Sequence, residues 1–243
     1  MEKRIGNASE DSAGEYSTSS VIIESGPPAE LNSIHAGLGV RPDIYGDSQL
    51  RLTTLWTAFG SGDSGCSDMI CAGFVQVTQD TRYFLGSVMS PTSRVGAPDK
   101  YELEFKIQRD KSTGNWWLIV NYNPEVQVGY WPRDMFTHLS TGASKVRFGG
   151  ETFAAPNTLS PPMGSGRLPQ DGYQYSSLFG RIQHIDTDYD QIDVILEYMK
   201  TLLRACMVQP RGREWEGKGG EVRGGEFFCF WLTSVEQKRP SVG

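Results

Sequence analysis

Residues 101–121 read YELEFKIQRDKSTGNWWLIVN, and this stretch decides the fold. Tyr101, Leu103, Phe105 and Ile107 would share one face, while Glu102, Glu104, Lys106 and Gln108 would face water. A period of two marks a half-buried strand, because successive side chains of an extended chain point to opposite sides. KSTGN (111–115) then supplies turn residues and NWWLIVNY (115–122) a return strand, so the segment reads as a β-hairpin. On that return strand Trp116 and Trp117 must face opposite ways, one to core and one to surface.

Outward from the hairpin, similar strands are expected at 17–23, 50–58, 74–78, 83–89, 126–130, 146–153 and 177–185. Turn-rich loops separate them, and 28 glycines and 13 prolines suit many turns. The fold class is all-β, an antiparallel β-sandwich, rather than alternating β and α units. Two stretches look helical. Pro132 opens a short helix over PRDMFTHLS, with Met135, Phe136 and Leu139 on one side. Ile192, Ile195, Leu196, Met199, Leu202, Leu203 and Met207 follow helical spacing, with Asp188 and Asp190 near the N-terminus. Beyond Pro210 the run RGREWEGKGGEVRGGE is glycine-rich and of mixed charge, and is expected to be disordered or loosely docked. The apolar patch FFCFWL that follows is an aggregation hazard unless covered. The expected organisation is a loose leader at 1–14, a sandwich at 15–186, and an atypical helix and tail at 187–243.

At 243 residues the chain has room for one large sandwich, and 38% hydrophobic residues are enough for a core. A net charge of −6, with no cluster of Lys or Arg interleaved with aromatics, argues against nucleic acid as a partner. No run of eighteen apolar residues is available to span a membrane. The start MEKRIGNASEDSAGEYSTSS lacks the apolar segment of a secretory signal, so the chain as written is expected to stay soluble and inside. Cys66 and Cys71 are close in sequence and Cys206 and Cys229 are distant. A local bridge between Cys66 and Cys71 is the favoured reading, since a short surface loop brings two sulfurs within bonding distance; two buried free thiols are the alternative.

SGPPAELNSIHAG, YGD, LTTLWTAFG, GCSDMICAGFVQ, GNWWL, VGYWPRDMF, VRFGGE and PPMGSGRLP follow one another in order from about Tyr16 to Asp186. In this order they resemble the plant neprosin-like family of glutamic endopeptidases. The resemblance implies an antiparallel β-sandwich, secretion as a zymogen, and cleavage on the carboxyl side of proline at acid pH without metal or other cofactor. It also implies an extracellular protein whose partner is a proline-containing peptide or protein. Relative to that family the chain begins inside the catalytic domain, and its C-terminal part is atypical.

A peptidase with neither metal nor covalent nucleophile needs one group to deprotonate water and another to stabilise or protonate the tetrahedral species. In the family two glutamates do this. By resemblance the second is Glu151 in VRFGGE, and the first position, in NSIHAG, is occupied by His35. At acid pH a cationic His35 beside Glu151 would lower the carboxyl's pKa. Fungal glutamic peptidases, similar in mechanism, pair a glutamine with a glutamate, so a hydrogen-bond donor suffices at the first position.

A substrate proline needs a flat apolar subsite, and Tyr130 and Trp131, at a strand end before Pro132, are the candidates. MGSG at 163–166 is a loop that would border the cleft or serve as a plain turn. His138 and His184 read as helix-face and strand residues, and no His/Cys spacing matches a metal site. The competing expectation, favoured by His35, is a non-catalytic sandwich binding peptide or cell-wall polysaccharide.

Overall fold

The computed structural model describes residues 15–58, 65–121, 123–154, 161, 175, 179–194, 199–203 and 231–236. Within them, runs of β-branched and aromatic residues form strands wherever a partner strand meets their backbone groups. The strands in chain order are β1 (Tyr16–Ser25), β2 (Asn32–Val40), β3 (Leu50–Thr57), β4 (Gly65–Ser67), β5 (Val75–Gln76), β6 (Phe105–Arg109) and β7 (Trp116–Val120). They continue with β8 (Val126–Trp131), β9 (Lys145–Phe153), β10 (Gln183–Ile185), β11 (Gln191–Asp193), β12 (Met199–Leu203) and β13 (Trp231–Glu236). A seven-stranded sheet has the order β12-β13-β9-β1-β2-β3-β4, a four-stranded sheet the order β5-β8-β7-β6, and β10 pairs with β11. All the strand pairings are antiparallel, and the fold is an all-β sandwich.

Strand parity sorts the large sheet into two faces. Ile23, Ile34, Ala36, Leu52 and Trp56 share the inner one and meet Trp116, Leu118, Val120 and Trp131 of the small sheet. Trp131 packs edge-on against Trp56 at 6.1 Å and Phe74 at 4.7 Å between ring centroids. A register shift between Leu118 and Ile119 leaves Val128 as the extra residue of a bulge, and Val128 is fully buried. Trp116 is buried and its indole donates to Leu139 O at 2.9 Å. Trp117 lies on the opposite face and packs on Tyr130, as alternation requires.

Several expectations change. The helix expected over 192–207 is absent from its described part, where β11 and β12 take the backbone hydrogen bonds of helical-looking residues into pairing with β10 and β13. Asp188 and Asp190 do not cap a helix. Their backbone N–H groups donate to Asp186 Oδ1, each at 2.9 Å, and build the turn of the β10–β11 hairpin. The helix expected from Pro132 reduces to a single 3-10 turn, Arg133–Met135. Buried Asn32 explains why: its Oδ1 accepts from the backbone N–H groups of His138 (2.6 Å) and Leu139 (3.3 Å), which a longer helix would claim. The C-terminal tail is not wholly loose, since 231–236 forms β13 and pairs with β9. Residues 83–89 form turns with one bridge, Val88 to Arg51, and 101–104 precede β6 rather than lengthen it. The leader at 1–14, the MGSG loop, the 211–226 run, Cys206 and Cys229 lie outside the described residues.

Candidate active site

The second face of the large sheet carries the polar chemistry. Glu151 of β9 lies opposite Thr18 of β1, and the same row continues through Gly39 of β2 to Arg51 of β3. Four residues along, Arg147 lies opposite Ile22, and that row continues through His35 to Leu55. Side chains of equal parity share a face, so Glu151 and His35 look out on the same side. Midway between them Gly149, Ser20, Gly37 and Thr53 form a row of small residues. Gly37 has no alternative there, because a Cβ would drive into the Ser19 carbonyl on β1.

Glu151, His35, Tyr16, Ser20, Arg41 and Thr53 all line one cleft of about 50 Å³, room for a few waters. Glu151 and His35 are two strands apart, about 10 Å, and four residues apart along the strands, about 13 Å. Among the described residues no hydrogen bond joins them. The direct partner of Glu151 is Tyr16, whose Oη donates to Oε1 at 2.9 Å. The Tyr16 ring stacks on Phe153 (centroids 5.5 Å apart) and carries the Arg41 guanidinium 4.5 Å from its centre. Arg41 is itself fixed by Asp43, through contacts down to 2.6 Å, and by Ser67 at 3.4 Å.

Burial raises the Glu151 pKa above its usual value, opposed by the Tyr16 hydrogen bond and by the charges of Arg41 and Arg147. Burial and Glu151 also push the Tyr16 phenol up, so it keeps its proton. His35 behaves opposite to expectation. Burial, reinforced by Arg147, lowers its pKa to about 3, so it is neutral above that pH and does not act as a cation on Glu151. Arg147 is paired with Glu24, which is 5% exposed, and Lys145 stands 3.9 Å from the same carboxylate.

A second buried carboxylate supports the cleft wall. Asp68, 2% exposed, accepts from Thr54 N (2.6 Å), Thr53 Oγ1 (3.0 Å) and Tyr45 Oη (2.8 Å), and burial raises its pKa. It follows β4 and lies within the loop closed by the Cys66–Cys71 disulfide, whose Cα atoms are 6.1 Å apart. The local bridge favoured from the sequence is therefore present.

The structure does not bring Tyr130 and Trp131 to this cleft. Trp131 is wholly buried between the sheets, on the far side of the large sheet from Glu151, and Tyr130 packs on Trp117 on the outer face of the small sheet. His138 bonds Glu30 at 3.1 Å, and His184 sits on β10. A larger opening of about 1680 Å³ lies between the sheets, walled by Ile23, Phe105, Trp116, Val146 and Phe148, and holds neither Glu151 nor His35. Among the described residues no group of three or more His, Cys, Asp or Glu side chains is placed to hold a metal, and no helix is long and apolar enough to cross a membrane. Tyr16, Arg41 and Arg147 escaped the sequence reading, because only strand register reveals that they surround Glu151.

Among the described residues the motifs that first suggested a family fold into one sandwich, with the VRFGGE and NSIHAG segments two strands apart and facing one cleft. The family model described as Neprosin matches residues 13–209, well over half of the sequence. On that match, the chain belongs to the Neprosin family.

Proposed function

We propose that the protein is a glutamic-type peptidase acting on proline-containing peptides or proteins, with Glu151 as general base. The observation that carries this reading is a half-buried carboxylate held by a phenol inside a cleft, at the position that the family resemblance assigns to a catalytic glutamate. A raised pKa makes the ionised carboxylate a stronger base and brings it towards the range in which a group can give back the proton it takes. In this scheme Glu151 takes a proton from a cleft water as its oxygen attacks the scissile carbonyl. The neutral His35 ring lines the same cleft, two strands over and four residues along, and supplies a hydrogen-bond donor to the substrate backbone lying across it. The leaving amine then receives the proton from Glu151 as the C–N bond breaks.

The cleft is too small to enclose a peptide, so the substrate backbone would lie across it. Cleavage on the carboxyl side of proline rests on the family resemblance. The Cys66–Cys71 bridge supports an oxidising, extracellular setting. One observation favours the second reading, a non-catalytic module binding peptide or cell-wall polysaccharide: the group at the first glutamate position is an uncharged imidazole that, among the described residues, shares no hydrogen bond with Glu151.

Cleavage of proline-containing peptides by the purified chain tests the proposal. Glu151→Gln, nearly isosteric, is expected to lose activity by about 10²–10⁴ with its circular dichroism unchanged. His35→Glu, which restores the family's carboxylate pair, is expected to raise cleavage at acid pH. If parent and His35→Glu are both folded and both inert from about pH 3 to about pH 8, the peptidase reading fails.

A further inference from the structure

We propose that Tyr16, held by Arg41, is the positioning partner of Glu151. The inference rests on Glu151 being the reactive carboxylate, but its structural content stands without turnover.

The argument begins with register. Tyr16 pairs with Phe153 and Thr18 with Glu151, so Tyr16 is the diagonal neighbour of Glu151 across two adjacent strands. Diagonal neighbours are within reach of a long aromatic side chain. The phenol spans that gap and donates to Oε1 at 2.9 Å. Its ring is not free to swing away, because Phe153 stacks on it and the Arg41 guanidinium sits 4.5 Å from its centre. Arg41 in turn is fixed by a two-toothed contact with Asp43, Nε to Oδ1 at 2.9 Å and Nη2 to Oδ2 at 2.6 Å. The chain of contacts runs from Asp43 through Arg41 and Tyr16 to one oxygen of Glu151. With Oε1 engaged, Oε2 is the oxygen left for a water proton.

The other charged groups near Glu151 do not substitute for this contact. On β9 Arg147 is paired with Glu24, and on β2 His35 is neutral above about pH 3 and lies four residues along. On β3 Arg51 is taken up by Asp47 at 2.6 Å. After β4, Asp68 is satisfied by Thr53, Thr54 and Tyr45. The described pairing of β13 with β9 covers Lys145–Phe148 and stops short of Glu151. A hydrogen bond to the ionised form favours that form, so the phenol holds the Glu151 pKa below the level that burial alone would set.

The test is a titration of Glu151 by carbon NMR of the full chain labelled at glutamate carboxyls, with Glu151→Gln giving the assignment. In Tyr16→Phe the apparent pKa of Glu151 is expected to rise by about one unit. Arg41→Gln, which removes a charge and frees the ring, is expected to raise it as well. Replacing tyrosine by 3-fluorotyrosine keeps every contact, makes the phenol a better donor, and is expected to lower it; this arm covers the case in which Tyr16→Phe does not fold. An unchanged Glu151 titration in the folded Tyr16→Phe protein, or with 3-fluorotyrosine, overturns the proposal. Where the parent cleaves peptide, Tyr16→Phe moves the acidic limb of kcat/KM to higher pH. An inert parent counts against the peptidase reading alone, and the titration still decides the role of Tyr16.

Discussion

Arg147 and His35 occupy one cross-strand row of the large sheet, each paired with Ile22 on the strand between them. The guanidinium adds to burial in holding the imidazole neutral, so this row carries an acid-dependent cost. The unfolded chain binds a proton at His35 below about pH 6.5, whereas the folded chain does so only below about pH 3. Between these values the unfolded state carries more protons, and stability falls as pH falls. Urea unfolding should show a loss approaching about 1.4 kcal/mol per pH unit in this window. His35→Gln should flatten that slope. An equal slope in both proteins would place the acid sensitivity elsewhere.

Asn32 offers a test of packing away from the cleft. Its side chain donates to Ala58 O at 2.7 Å and accepts from Thr137, His138 and Leu139, with no exposure to water. Asn32→Ala would strand two backbone N–H groups and a carbonyl in the interior. Orphaned buried groups cost about 1–3 kcal/mol each, so a loss of at least about 3 kcal/mol is expected in thermal or urea unfolding.

For Trp131 the expectation concerns folding rather than binding. The indole fills the space between Trp56 and Phe74, and its Nε1–H has no partner among the described residues. Trp131→Ala should cost about 3–5 kcal/mol, mostly from the cavity, while Trp131→Phe costs less because it also removes the stranded donor. A variant that kept its melting temperature and lost only peptide binding would return Trp131 to the substrate site.

Reduction of the Cys66–Cys71 bridge should remove about 2 kcal/mol, the modest value expected for so short a loop. The same loop positions Asp68 against Thr53 and Thr54. Reduced protein should therefore show faster amide exchange at Thr54, whose N–H donates to Asp68, than at Leu118 in the small sheet. Equal rates at both sites would separate the disulfide from the cleft wall.

The β6–β7 hairpin was legible because its two strands are neighbours in sequence and their pairing follows from local alternation and a turn. The strands at 191–193 and 199–203 were not. Ile192, Met199, Leu202 and Leu203 fit a helical spacing equally well, and the choice is made by β10 and β13, the second of which comes from the far end of the chain. At the site, Glu151 and His35 were found through motifs, whereas Tyr16 carries no motif. Only the register of β1 against β9 makes it a neighbour of Glu151. Trp131 was misjudged because a bulky aromatic at a strand end suits a subsite and a core alike, and parity against an unseen sheet decides between them.

The strand order has a consequence for a chain being made on the ribosome. Tyr16 and Glu151 are separated by 135 residues, and β1 waits for β9 with only β2 beside it. Contacts of such long range form late, since the intervening chain must first be closed into a loop. Until β9 emerges, the nascent protein has His35, Gly37 and Thr53 in a four-stranded sheet, β1 to β4, with an open edge at β1. The carboxylate arrives last, so the cleft comes into being only when that edge is covered.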